Sequence, residues 1–186
     1  MENQARAGMV VGSLVGVVFG LVFIEVNSGG LTGSWPLVVR VAGAVVALAL
    51  LAGVLWVARR GEVEGEVPSG GFAGRRYWNI VGLEGLALFA GLAVINGVLG
   101  RPEYAVPWIA LVVGVHFVLL AQAWRIGLYR GLGIAQTALG LAGFVLAATG
   151  ASLATVNVVA GVLSGVALYV TVAIAVLRSR PVSVRS

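Results

Sequence analysis

The sequence predicts an all-α protein, a polytopic transmembrane helical bundle of six spans with its N-terminus and C-terminus cytoplasmic. Three observations carry that prediction. Residues of the set AVILMFWYC make up 60% of the 186, with 28 glycines in addition, whereas soluble domains reach about 45–50% apolar with glycine already counted. Charged residues amount to only 10% and fall almost entirely between the apolar runs. Six of those runs reach the roughly 20 residues a helix needs to cross a hydrocarbon core of about 30 Å. The runs are continuously apolar rather than alternating, which separates helices from the other backbone-satisfying solution, a barrel of about 10-residue alternating strands.

The first span, about 8–27, carries Gly8, Gly12, Gly16 and Gly20 at four-residue spacing. Such a ridge without side chains lets another backbone approach closely. It suits a helix contact inside the chain, and equally a seam to a second copy or to another membrane protein. One arginine, Arg6, precedes it and is offset by Glu2; with five spans following, the segment reads as a retained helix rather than a cleaved signal. The second span, about 36–58, begins beside Arg40. The third, about 78–99, follows the longest loop, 59–77, which mixes Glu62, Glu64 and Glu66 with four arginines around Pro68, Ser69, Gly70 and Gly71. That loop is too short for a domain. The fourth span covers about 104–124, the fifth about 131–150 and the sixth about 153–177. Ala151 and Ser152 alone join the last two, so neighbouring spans form antiparallel hairpins, and residues 1–186 make one membrane domain.

Orientation follows from the arginines. The connections after spans one, three and five hold only Arg101, while the N-terminus, the 59–77 loop, the 125–130 loop and the tail hold Arg6, Arg59, Arg60, Arg75, Arg76, Arg125, Arg130, Arg178, Arg180 and Arg185. By the positive-inside rule both ends are cytoplasmic. Trp35, Trp56, Tyr77, Trp78, Tyr104, Trp108, Trp124 and Tyr129 lie near span ends, where amphipathic rings favour the headgroup layer; Tyr169 sits deeper. The absence of lysine and aspartate beside abundant Ala, Val, Gly and Arg points by association to a bacterial chain, and the expected location is the cell membrane, with the lipid bilayer as the protein's first partner.

Composition also excludes function classes. The net charge of +5 comes from arginines scattered through short loops, not gathered into a nucleic-acid footprint. With no cysteine there is no disulfide, thiolate metal site or thiol nucleophile. Ser13, Ser152 and Ser164 have no His or carboxylate pattern beside them, phosphate-cradling loops are absent, and no cofactor motif is present. The expectation is a protein that is not an enzyme and holds neither metal nor cofactor.

Polar groups within a bilayer mark function or a partnered contact, so those that share a depth deserve pairing. At 1.5 Å per residue, Glu84 lies roughly 9 Å from the cytoplasmic side, His116 roughly 13 Å and Gln136 roughly 8 Å. An imidazole titrating near pH 6.5 beside a carboxylate can bind and release protons in the working range; the plainer alternative is a hydrogen-bonded pair that fixes helix packing. One His and one Glu are too few ligands for a metal. On the outer side, Glu25 and Arg40 match in depth and should form an ion pair, and Asn96 and Asn157 fall near the same level. These four would suit a substrate entrance, or else two charges kept out of lipid.

The run from Pro107 to Ala121, P-W-I-A-L-V-V-G-V-H-F-V-L-L-A, resembles a group of uncharacterised bacterial six-span integral membrane proteins whose fourth span carries L-V-V-G-x-H-F-x-P-L-A. The preceding Arg101-Pro102-Glu103 echoes their short acidic or proline-containing turn. Leu119 stands where that pattern has proline. The resemblance implies no activity, but it singles out His116. Two functions follow as expectations: a small transporter or channel with a buried Glu84/His116/Gln136 site, or a non-catalytic membrane subunit or scaffold docked through the glycine ridge.

Overall fold

The computed structural model describes residues 2–59 and 74–179. Helix α1 is Glu2–Asn27 and α2 is Trp35–Arg59; α3 is Arg75–Ala93, prolonged by a π-helical turn, Val94–Val98. A 3-10 turn, Pro102–Tyr104, leads into α4, Ala105–Trp124, and α5 is Gly127–Ala148. Helix α6 runs from Leu153 to Arg178 with a π turn, Val158–Val162, inside it. Among the described residues there is no strand, and six helices are long and apolar enough to cross a membrane. Most of the 59–77 loop, with its three glutamates, lies outside the described residues, as do Arg60, Arg180 and Arg185.

In lipid nothing hydrophobic drives one helix against another, so the fold rests on close packing and interhelical hydrogen bonds. Helix α6 is central: 44% of its most apolar 18 residues are buried, and it touches α1, α2, α4 and α5. Its contact with α1 is where the glycine ridge goes. A methyl group placed on Gly20 would lie 2.5 Å from the Tyr169 ring, and one on Gly16 2.7 Å from Val172, both on α6. A methyl group on Gly12 would lie 2.8 Å from the Tyr129 hydroxyl on α5. Gly12, Gly16 and Gly20 are thus packed against neighbours within the chain, and Val17, Ile24, Ala47, Val54, Tyr169 and Val172 form the core beside them. The α4–α5 hairpin is the tightest contact. Gly114 faces the backbone nitrogen of Thr137, and Gly140 faces that of Leu111, each too near to admit a side chain. Helix α3 is the outlier, with 11% of its most apolar 18 residues buried and α4 as its chief neighbour.

Five span boundaries fall within two residues of the pattern, or extend it at a charged end, but the fifth helix starts at Gly127, four residues before the expected 131. The reason is local. Arg125 adopts a left-handed conformation with φ 58°, which turns the chain so sharply that Arg125 and Ile126 suffice as the connection, and Arg130 is drawn into the helix. The α5–α6 turn uses Gly150 at φ +79°. Ser152 then caps α6 by accepting from the Thr155 amide at 3.2 Å, satisfying one of the orphan donors of a helix start.

Candidate functional site

Glu84 and His116 meet. They project from facing positions on α3 and α4, and His116 Nδ1 lies 2.9 Å from Glu84 Oε2. This is ion-pair separation, although the carboxylate is not aligned as the partner of a ring N–H hydrogen bond. The histidine side chain is 11% exposed and the glutamate 25%, so both are largely removed from the surroundings. Phe117 sets its ring edge-on to the imidazole at 5.5 Å. It begins an aromatic array toward the Trp124 end of α4, in which Tyr129 contacts Phe117 and Trp124, and Tyr77 stacks on Trp124 at 5.7 Å. The array bridges α3, α4 and α5 on one side of the pair.

Gln136, expected in the same layer, joins different partners. It is fully buried and donates Nε2–H to the Ser164 carbonyl of α6 at 3.1 Å. Helix α5 packs one flank on α4 and another on α6, and Gln136 occupies the second, away from α3. Ser164 in turn donates its hydroxyl to the Ala160 carbonyl at 2.7 Å, inside the π turn. A π turn disturbs the i to i−4 ladder, and the Ser164 hydroxyl supplies a donor to one carbonyl there. Gln136 Oε1 and Thr137 Oγ1 are buried without a hydrogen-bond partner among the described residues.

The residues expected on the outer side divide. Arg40 Nε stands 3.8 Å from Glu25 Oε2, which is the expected pair, but its hydrogen bonds go elsewhere: to the Glu25 carbonyl and the Ser28 hydroxyl, each at 3.1 Å. The guanidinium therefore caps the last turn of α1, where carbonyls lack helical partners and a cation is favoured. Asn157 lies just before the π turn of α6, with Oδ1 buried and unpaired among the described residues. Asn96 stays apart. It is exposed and donates to the Leu92 carbonyl of its own helix at 2.9 Å, because α3 presents that face away from the bundle. The four residues do not form one vestibule.

No protein-family model, curated protein or solved structure matches the chain.

The geometry also brings forward residues the sequence pattern did not single out. Asn27 is buried at the α1–α6 contact, donating to the Phe23 carbonyl at 2.8 Å and lying directly against Gly161. Ser28 is fully buried beneath Arg40. Tyr169 donates its hydroxyl across the bundle to the Gly43 carbonyl at 3.1 Å. A Tyr this deep in a span signals such a bond, since a buried phenol needs a partner; Asn27 and Ser28 follow Glu25 at a helix end, where free carbonyls attract donors. In the α3–α4 connection, outside the spans, the Arg101 guanidinium is held above its usual value first by its hydrogen bond to Glu103 and then by the Tyr104 hydroxyl. Among the described residues no group of three His, Cys, Asp or Glu side chains can hold a metal.

Proposed function

We propose that the protein is a small proton-coupled transporter of a bacterial cell membrane, with Glu84 and His116 as its proton-binding pair. The observation that carries this reading is the 2.9 Å contact between two ionisable groups inside apolar spans. Such groups are costly in hydrocarbon and tend to mark ion pathways or relays. Their placement supports it further: the pair bridges α4 to α3, the span with the least packing, so a change of proton occupancy acts on the helix best able to move. Gln136 has no part in the proton step on this reading, because its amide is engaged with Ser164.

The test begins with thermal stability of the purified protein against ions, metabolites and lipids between about pH 5 and 8, since a ligand of the folded state raises its apparent stability. A compound that stabilises the wild type is then followed as flux into proteoliposomes. Glu84→Gln and His116→Ala are each expected to abolish proton-coupled uptake while both proteins still fold. Unchanged uptake in both would refute the reading.

A membrane-subunit function draws on a different observation. A methyl group added to Gly82 or Gly85 of α3 would meet nothing within 4 Å, and Leu83, Leu86 and Phe89 beside them are exposed. Small residues on an open face permit close approach of another helix. On this reading Gly82→Ile releases a co-purifying membrane protein and Glu84→Gln merely lowers stability. Purification without companions from native membranes would count against it.

A further inference from the structure

On the far side of the bundle from Glu84 and His116, helices α1, α2 and α6 enclose a groove of about 460 Å³ lined by Ile24, Val39, Gly43, Val46, Leu50 and Tyr169 among others. The lining is apolar. Its one hydroxyl, on Tyr169, is already bonded to the Gly43 carbonyl, so nothing inside the groove can recognise a polar solute. Along α2 the lining runs from Val39 to Leu50, which at 1.5 Å per residue is roughly 16 Å, about half of a 30 Å hydrocarbon core. The groove therefore has the depth of one leaflet and the chemistry of an acyl chain.

Its upper end is charged. Val39 and Ile24 are the sequence neighbours of Arg40 and Glu25, and that pair is incompletely satisfied. Arg40 uses only Nε, on the Glu25 carbonyl and Ser28, and its two Nη groups make no hydrogen bond among the described residues. The Glu25 carboxylate, 3.8 Å from Nε, is beyond the roughly 2.7–2.9 Å of a charge-assisted hydrogen bond. The two side chains are 37% and 43% exposed. A guanidinium fork suits a phosphate, and a carboxylate beside it suits an ammonium.

We propose that this groove binds one phospholipid with an ammonium-bearing headgroup of the phosphoethanolamine class. One acyl chain lies between α2 and α6, the phosphate sits on the Arg40 Nη groups, and the ammonium sits on Glu25. The charge order of the headgroup matches that of the protein. An anionic headgroup without an amine satisfies Arg40 but leaves Glu25 repelling it.

Native mass spectrometry of the full chain, released from nanodiscs of equal phosphatidylethanolamine, phosphatidylglycerol and phosphatidylcholine, tests the proposal. The wild type is expected to retain one phosphatidylethanolamine in preference to the other two. Arg40→Gln should lower retention about tenfold, the loss of roughly one charge-assisted contact. Glu25→Gln should keep retention but erase the preference over phosphatidylglycerol; because Arg40 bonds the Glu25 carbonyl rather than its carboxylate, the fold survives this change. Ala42→Phe, at an exposed position of the lining, should fill the groove and abolish retention, with an unchanged melting profile showing an intact bundle. Equal retention of the three lipids, or retention indifferent to both Arg40→Gln and Ala42→Phe, would overturn the proposal.

Discussion

Two glycine-to-alanine changes in the same protein should move its stability in opposite directions. At Gly20 the new methyl group would lie 2.5 Å from Tyr169 Cε1, 2.6 Å from Cδ1 and 3.2 Å from the Gly165 carbonyl. To restore ordinary contact the Tyr169 ring has to retreat by close to 1 Å, and its hydroxyl then leaves the Gly43 carbonyl, now 3.1 Å away. Overpacking of a close contact costs about 1–3 kcal/mol, and an interhelical hydrogen bond in a membrane protein contributes about 0.6 kcal/mol. Against this, replacing a mid-helix glycine by alanine returns about 0.5–1 kcal/mol. The net expectation for Gly20→Ala is a destabilisation of about 1–3 kcal/mol. At Gly82 the methyl group meets nothing within 4 Å, so only the helix-propensity gain remains, and Gly82→Ala should stabilise by about 0.5–1 kcal/mol. Reversible unfolding of the purified protein in mixed micelles, titrated with a denaturing detergent, measures both. Equal shifts of the same sign would refute the assignment of Gly20 to the α1–α6 contact and of Gly82 to an open face.

Other outcomes follow from the polar contacts. Gln136→Leu keeps side-chain volume and removes both the bond to Ser164 and the unpaired Oε1, so its stability should stay within about 1 kcal/mol of wild type, whereas Gln136→Ala opens a cavity and should cost about 2–4 kcal/mol; the same unfolding assay compares them. Arg125→Gly and Arg125→Val remove the same charge, but φ 58° suits only the glycine, and the valine variant should be the less stable of the two by about 1–2 kcal/mol. Arg40→Met should cost about 1–2 kcal/mol through its two lost hydrogen bonds, while Glu25→Gln should cost under about 0.5 kcal/mol, because its carbonyl and not its carboxylate is the acceptor. A larger loss in Glu25→Gln than in Arg40→Met would reverse that assignment.

The spans were legible because length and continuous apolarity are set by the bilayer itself, and every described helix answers to one of the six runs. The pairing of Glu84 with His116 was legible too, since consecutive antiparallel spans must bring matched depths together and the remaining question was only rotation about each axis. Rotation is also where the reading of Gln136 and Asn96 ran out. Depth put Gln136 beside His116, but α5 is wedged between α4 and α6, and its polar flank turned to Ser164. Asn96 had the right height and the wrong azimuth. The π turns were not legible at all: each depends on inserting one residue into a helix, a displacement that local composition does not encode. The glycine ridge on α1 announced close approach without naming the partner, and the bundle supplies it from α6 and Tyr129.

The distribution of packing gives the polar pair its significance. Helices α1, α4, α5 and α6 are joined by glycine contacts that leave no room for a methyl group and by the bond from Gln136 of α5 to the Ser164 carbonyl of α6. Small sliding motions between them therefore meet hard contacts. Helix α3 is held to α4 by Glu84 on His116, the Trp108 indole donating to the Ala87 carbonyl at 3.2 Å, the Tyr77–Trp124 stack, and Gly91, where a methyl group would also meet the Trp108 indole. Only the first of these can change charge. A device that converts proton occupancy into helix movement needs one ionisable contact across a weakly packed join and a rigid body to move against. In this bundle Glu84 and His116 supply such a contact on the least buried span, so on the proposed transporter reading their substitution should alter transport before it alters folding.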